Sequence, residues 1–175
     1  MIRGFCIGRF QPYHNGHDKI IRTISNEVDE LVIGIGSAQK SHSVKDPFTA
    51  GERIEMIRKS LEDIDLLYYI IPLQDLEFNS LWVSHVRSLS PKFQVVYSNN
   101  PLVIQLFKEA GADVRSTPLH DRKRLSGTEI RKLMVEGDTK GWKKLVPSAV
   151  ADVIEEINGI ERIKAVASTD NKYSL

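Results

Sequence analysis

A chain of 175 residues is long enough for one domain with a sizeable core, and its 41% hydrophobic and 27% charged residues describe an ordinary globular protein. A net charge of +1 argues against a nucleic-acid polymer as partner, since such proteins carry a clear basic excess. The single cysteine, Cys6, excludes an intramolecular disulfide, no apolar run reaches the ~18 residues of a membrane span, and one arginine before a short apolar run is too little for a secretion signal. No membrane association is expected, and the expected location is the cytoplasm.

Residues 2–7 form an apolar run that reads as a buried strand, with Cys6 as a small hydrophobe. Residues 8–17 are then a strand-to-helix turn, and residues 18–26 a helix with Ile20, Ile21 and Ile24 on one face. A second strand at 31–36 is apolar almost throughout, as suits a central parallel strand covered on both faces. A polar loop ends at Pro47, and Thr49 to Glu52 spell a capping box for a helix carrying Ile54, Ile57 and Leu61. A third strand, 66–71, stops at Pro72, and a loop leads to a helix over 80–89. A fourth strand spans 93–97 and the next helix 102–110, with Gly111 as its C′ residue. The short, more polar strand 112–116 belongs at an edge. Ser126 to Glu129 spell a second capping box, opening a helix through Val135. Helices follow at 148–158 and 160–166, and residues 166–175 read as a frayed tail. Alternating strands and helices make this an α/β protein. With no repeat, low-complexity segment or linker, residues 1–175 are expected to form one domain.

Two stretches carry chemistry. In Gly8-Arg9-Phe10-Gln11-Pro12-Tyr13-His14-Asn15-Gly16-His17, the backbone N–H groups at a helix start are unpaired and the helix dipole favours an anion. Gly8 permits the sharp exit from the strand and Pro12 stiffens the loop. His14 and His17 are three apart, so they share one face of a first helical turn. Gly16 between them lets a ligand approach the backbone, and Arg9 adds a guanidinium. Zinc fits poorly, because no Cys or acidic partner stands at ligand spacing. In the second stretch, Ser126-Gly127-Thr128-Glu129-Ile130-Arg131, two hydroxyls mark a helix start and Arg131 offers a fork suited to phosphate. Arg122, Lys123 and Arg124 stand just upstream. Taken alone this stretch reads equally as a solvated basic loop before a capped helix. There is no G-x-x-x-x-G-K-[ST], Gly34-Ile35-Gly36 lacks the third glycine of the dinucleotide fingerprint, and no nucleophile elbow appears. A Rossmann-type redox protein is therefore disfavoured.

An H-x-G-H after a first strand, joined to S-x-T-x-x-R, resembles the nucleotidyltransferase α/β phosphodiesterase superfamily. Gly8 to Pro12, Gly34 to Gln39, Asp46 to Arg53, Asn79 to Val83, Tyr97 to Leu102 and Ser126 to Arg131 together resemble the archaeal-type nicotinamide-nucleotide adenylyltransferases, over nearly the whole chain. The resemblance implies a doubly wound parallel sheet of Rossmann-like type with added C-terminal helices, and a homo-oligomer, typically a hexamer. It implies ATP plus nicotinamide mononucleotide giving NAD⁺ and pyrophosphate. His17 would stabilise the pentacoordinate α-phosphate, His14 would help hold the triphosphate, and Arg9 and Arg131 would bind its oxygens. Gly8, Phe10, Gly16, Asn100, Ser126 and Thr128 would complete the ATP site. Ser37, Asp75, Asn79 and Trp82 would take the nicotinamide nucleotide. Mg²⁺ would bridge ATP phosphates without a dedicated protein metal site.

Some positions stay open at this level. Trp82 in an amphipathic helix reads as core by itself and as a nicotinamide platform by resemblance. Tyr69 and Phe78 read as core and His85 as structural. His42 and His120 read either as phosphate contacts or as solvated loop residues, and Lys45 has no assigned role. Asn99 stands where the family pattern expects glycine, and Asn tolerates a left-handed turn. The alternatives are an adenylyltransferase with phosphopantetheine or flavin mononucleotide as acceptor, and a non-catalytic nucleotide sensor.

Overall fold

Among the described residues five segments, four of them largely apolar, pair side by side as parallel strands: β1 (Arg3–Gly8), β2 (Glu30–Ile35), β3 (Leu67–Pro72), β4 (Val95–Tyr97) and the more polar β5 (Asp113–Arg115), in the spatial order β3-β2-β1-β4-β5. The computed structural model describes residues 1–117 and 125–172. The helices are α1 (Asn15–Ile24), α2 (Ala50–Ser60), α3 (Trp82–Leu89), α4 (Pro101–Glu109), α5 (Gly127–Glu136), α6 (Thr139–Lys143), α7 (Ser148–Glu156) and α8 (Gly159–Lys172). The chain divides into two compact units. One comprises Met1–Arg9, Ile20–Gln39 and Ile64–Leu119, and the other Phe10–Lys19, Lys40–Asp63 and His120–Leu175.

The first unit holds the sheet. β2 is buried at every position, as its unbroken apolarity requires. On one side Phe5, Val32, Leu73 and Val96 of the strands and the residue after β3 pack with Val83 and Val86 of α3 and Phe107 of α4. Phe5 stacks on Phe93 with 4.7 Å between ring centroids. Truncating such a core aromatic costs about 3–5 kcal/mol. β5 lies at the sheet edge, where Asp113 and Arg115 pair at 3.0 Å. Charged side chains there discourage pairing with another strand.

Two readings change here. Phe78 is 60% exposed and not core. It stands at the N-cap position of the 3-10 turn Asn79–Leu81, in which no residue is buried, so no helical face turns it inward. Asn99 does not adopt a positive φ. Its side chain clamps Thr117 instead: Nδ2 donates to the Thr117 carbonyl at 2.9 Å and to Oγ1 at 2.7 Å, and Oδ1 accepts from Thr117 N at 3.2 Å.

In the second unit α2 packs on α7, and α5 on α6 and α8. The Thr49 capping box is complete, and the Glu52 carboxylate also receives Arg162 of α8 at 2.7 and 2.8 Å. Helix α6 lies beyond the elements legible in the sequence. It is one short turn capped by Asp138, and it buries Trp142. Helix α8 runs to Lys172, past the 160–166 stretch that the apolar pattern marks.

Candidate active site

A parallel sheet binds ligands beyond the carboxyl ends of its strands, where the strand order reverses. Here the order reverses at β1. In the first unit a pocket of about 350 Å³ opens at that point, within the range of small-molecule sites. Gly8 and Arg9 reach it from β1, Gly36 and Ser37 from β2, Asp75 from the loop after β3, and Asn79 and Trp82 from the start of α3. Asn100 lines it from the turn after β4. The structure thus gathers Gly8, Arg9 and Asn100 with the four residues expected for the nicotinamide nucleotide.

Four of these residues, Ser37, Asp75, Asn100 and Trp82, are held by local contacts. The Ser37 hydroxyl donates to Asp75 Oδ1 at 3.0 Å, and Gln39 Nε2 to Oδ2 at 3.1 Å. Asn100 Oδ1 caps α4 by accepting from Leu102 N at 2.9 Å and Val103 N at 3.3 Å. Trp82 is half-buried, meets Phe107 edge-on at 5.6 Å, and lines the pocket. Its packing and pocket roles therefore coexist.

In the second unit the histidine pair sits at the start of α1. His14 precedes the helix, and its carbonyl accepts from Asp18 N at 3.0 Å. His14 Nδ1 accepts from Gly16 N at 3.1 Å and His17 N at 3.3 Å, while His14 N donates to His17 Nδ1 at 3.3 Å. A ring nitrogen that accepts from a backbone N–H carries no proton, so each neutral ring bears its proton on Nε2. Buried Phe10, at φ 51°, meets the His17 ring edge-on at 4.7 Å. Burial, and to a lesser degree the Arg131 charge, push the His14 pKa down to about 4. Burial first and His14 second push His17 well below the usual imidazole range. Near pH 7 both rings are therefore neutral Nε2–H donors.

Arg131 approaches from α5. The Ser126 hydroxyl caps that helix by accepting from Glu129 N at 3.2 Å. The Arg131 side chain is buried, with Nη1 donating to the Gln11 carbonyl at 2.7 Å and Nη2 to Thr128 Oγ1 at 3.4 Å. Its charge acts on His14, so these groups share one electrostatic environment. Thr128, Arg131 and Lys132 line a cleft with Ser43, Val44 and Lys45. Lys45 and Lys132 stand alone in a loop and on a helix, with no periodic or motif signal, and Gln11, although inside the first stretch, bonds to residues far off in the sequence.

The other histidines are less engaged. His42 is exposed and bonds only its neighbour Ser41, at 2.9 Å, among the described contacts. His85 Nε2 is buried with no hydrogen-bond partner among the described residues. His120 and the run Arg122, Lys123 and Arg124 lie outside the described residues. Among the described residues no group of three or more His, Cys, Asp or Glu is placed to hold a metal ion. The second-unit site presents N–H donors and a guanidinium, a donor set that suits an anion. A divalent cation fits it only when carried on the oxygens of that anion.

A doubly wound parallel sheet with a pocket at the switch point, and a helix start bearing two neutral imidazoles beside a buried arginine, define a nucleotide-binding α/β protein of the nucleotidyltransferase type. Residues 5–133 match the cytidylyltransferase-like family, and the chain belongs to that family, close to its archaeal nicotinamide-nucleotide adenylyltransferases. It is 61% identical over 170 residues to the nicotinamide-nucleotide adenylyltransferase of Halobacterium salinarum, covering 97% of this chain and 95% of that one. Over 175 residues it is 57% identical to the enzyme of the same name from Methanosarcina barkeri, with both chains covered in full. Among solved structures, it superposes with a TM-score of 0.74, at 20% identity, on a bifunctional NMN adenylyltransferase/ADP ribose pyrophosphatase from Francisella tularensis complexed with AMP and a manganese ion. That match covers 98% of this chain and 54% of the other, about half its length, and establishes the fold. No helix of the described residues is long and apolar enough to cross a membrane.

Proposed function

We propose that this protein transfers the adenylyl group of ATP to nicotinamide mononucleotide, giving NAD⁺ and pyrophosphate. The acceptor phosphate attacks the α-phosphorus of ATP directly and in line, and pyrophosphate leaves from the opposite side. A phosphate monoester is largely dianionic near neutral pH, its second pKa being about 6, so no general base is required. What the protein must supply is positioning and stabilisation of the charge that builds on the α-phosphate oxygens.

The observation that carries this reading is the set of three backbone N–H bonds that fix His14 and His17 as Nε2–H donors at the start of α1. His17 donates to the developing charge at the α-phosphate, and His14 to the triphosphate. Arg131 holds phosphate oxygens with its fork, aided by Thr128 and the α5 N-terminus capped by Ser126. By the resemblance, Gly8, Arg9, Phe10, Gly16 and Asn100 also bind ATP. Trp82 forms the flat apolar wall against nicotinamide, and Ser37, Asp75 and Asn79 supply polar partners. Mg²⁺ is the divalent ion expected, and it neutralises charge on the phosphates it accompanies.

The same reading makes the protein a cytoplasmic homo-oligomer, a hexamer by resemblance, which sedimentation of the purified protein tests. The activity is tested by supplying ATP and Mg²⁺ with nicotinamide mononucleotide, phosphopantetheine or flavin mononucleotide, and resolving the products by chromatography. NAD⁺ formed only with the first supports the proposal. Adenylylation of another acceptor instead, or ATP binding without turnover, replaces it by one of the alternatives.

A further inference from the structure

We infer that Gln11 is a positioning residue that aims the Arg131 guanidinium at phosphate. The inference rests on the phosphate-binding role proposed for Arg131. Gln11 is buried, with 3% of its surface exposed, although its side chain is polar. Its amide is satisfied in an unusual way, by both backbone groups of one residue. Gln11 Nε2 donates to the Phe48 carbonyl at 2.8 Å, and Phe48 N donates to Gln11 Oε1 at 2.9 Å. This two-point pairing mimics a β-bridge and fixes the side chain in orientation as well as distance. Only a primary amide offers a donor and an acceptor in one plane, and Asn is one methylene shorter.

The consequence falls on the main chain of the same residue. With its side chain pinned to the segment before α2, the Gln11 carbonyl points at α5 and accepts from Arg131 Nη1 at 2.7 Å. Thr128 Oγ1 takes Nη2 at 3.4 Å. Two contacts on one guanidinium set the plane of the fork before any ligand arrives. Arginine otherwise loses much rotamer freedom when a phosphate immobilises it, and fixing it beforehand removes that cost from binding.

Gly127, the first residue of α5, records the closeness of this contact. A Cβ placed there would lie 2.8 Å from Arg131 Nη1 and 2.9 Å from the Gln11 carbonyl oxygen. Its φ is not positive, so the requirement for glycine is space around this hydrogen bond and not backbone conformation. Gln11, Gly127 and Arg131 thus form one device drawn from two elements far apart in sequence.

The test uses Gln11→Met, Gln11→Glu and Gly127→Ala, each alone and combined with Arg131→Lys. Gln11→Glu, when ionised, keeps an acceptor for Phe48 N but has no donor for its carbonyl, so its kinetics are read at a pH well above the carboxyl range. Gly127→Ala leaves the Phe48 pairing intact and crowds the fork from the other side. Each single variant is expected to lose about 10²-fold in kcat/KM for ATP, the scale of a misplacement near 1 Å. The KM for nicotinamide mononucleotide should stay nearly unchanged. Combined with Arg131→Lys, the further loss should shrink well below the single-variant value.

Losses that multiply to within about twofold in the Arg131→Lys background overturn the inference, because independent sites behave that way. So do a fall in melting temperature with normal kinetics, and a Gly127→Ala variant with the parent's ATP kinetics. If Arg131→Lys alone leaves the kinetics of ATP unchanged, the phosphate role of Arg131 fails first and the inference falls with it, on a distinguishable result.

Discussion

The imidazole rings of His14 and His17 lie stacked, with 3.6 Å between centroids and 20° between planes. Two imidazolium ions at that separation would repel strongly, and burial already disfavours charge on either. The arrangement is stable only while both rings are neutral, which is also the state in which each offers one Nε2–H. Structure and proposed chemistry therefore require the same protonation state.

The stability of the fold should fall in acid because of this pair. His14 is held at about 4 in the folded chain against 6.5 in the unfolded one. Between those values the unfolded chain binds more protons, so the contribution is fully present above pH 6.5 and is lost as pH falls towards 4. A shift of that size is worth on the order of 3 kcal/mol. Denaturant titrations between pH 4 and 7 should show the slope in the wild type and a shallower one in His14→Gln. Equal slopes would contradict the assignment.

Catalysis should follow a different group. If the histidines act as neutral donors and the acceptor phosphate is the nucleophile, kcat/KM for nicotinamide mononucleotide should decline below pH ~6, where that phosphate gains a proton. A rate that climbs on acidification would instead mark an imidazolium acid.

His17→Ala should lower turnover by ~10²–10³, the usual cost of removing one preorganised donor to a developing oxyanion. ATP affinity, measured by calorimetry, should change far less, because the donor matters most in the transition state. Near-normal turnover would remove His17 from the mechanism.

Trp82→Ala should raise the KM for nicotinamide mononucleotide about tenfold or more and leave that for ATP nearly unchanged. The ring also packs against Phe107, so the melting temperature should fall as well. Equal increases in both constants, or a lower melting temperature alone, would make the ring purely structural.

Glu52→Gln tests the fold away from the site. Glutamine can still close the capping box on Thr49, but it withdraws the charge that holds Arg162 at 2.7 and 2.8 Å. Unfolding should become easier by about 2 kcal/mol, the scale of hydrogen bonds to a charged group. An unchanged denaturation midpoint would show the pair to be energetically neutral.

The sequence made the architecture legible wherever burial was periodic. β2 is continuous in apolarity because both faces are covered, and residues 112–116 are polar because their strand is an edge. The histidine pair was legible because a strand, a turn and a helix start occur in one short stretch. Three features escaped. Helix α6 is too short to display a period. Local sequence marks Asn99 as a turn former, whereas its amide is spent on Thr117, 18 residues away. The Gln11 amide pairs with Phe48 and its carbonyl with Arg131, and partners 37 and 120 residues distant leave no mark on local pattern.

In the proposed reaction the adenylyl group passes directly between two bound nucleotides. The sharpest measurement uses ATP labelled at the α-phosphate, incubated with the protein and Mg²⁺, with and without nicotinamide mononucleotide. Direct transfer predicts no label on the protein and no AMP in the absence of acceptor. With acceptor, labelled NAD⁺ and pyrophosphate should appear in equal amounts, and His17→Ala should suppress both. Label retained on the protein before acceptor is added, or no NAD⁺ from a folded and ATP-bound sample, would contradict it.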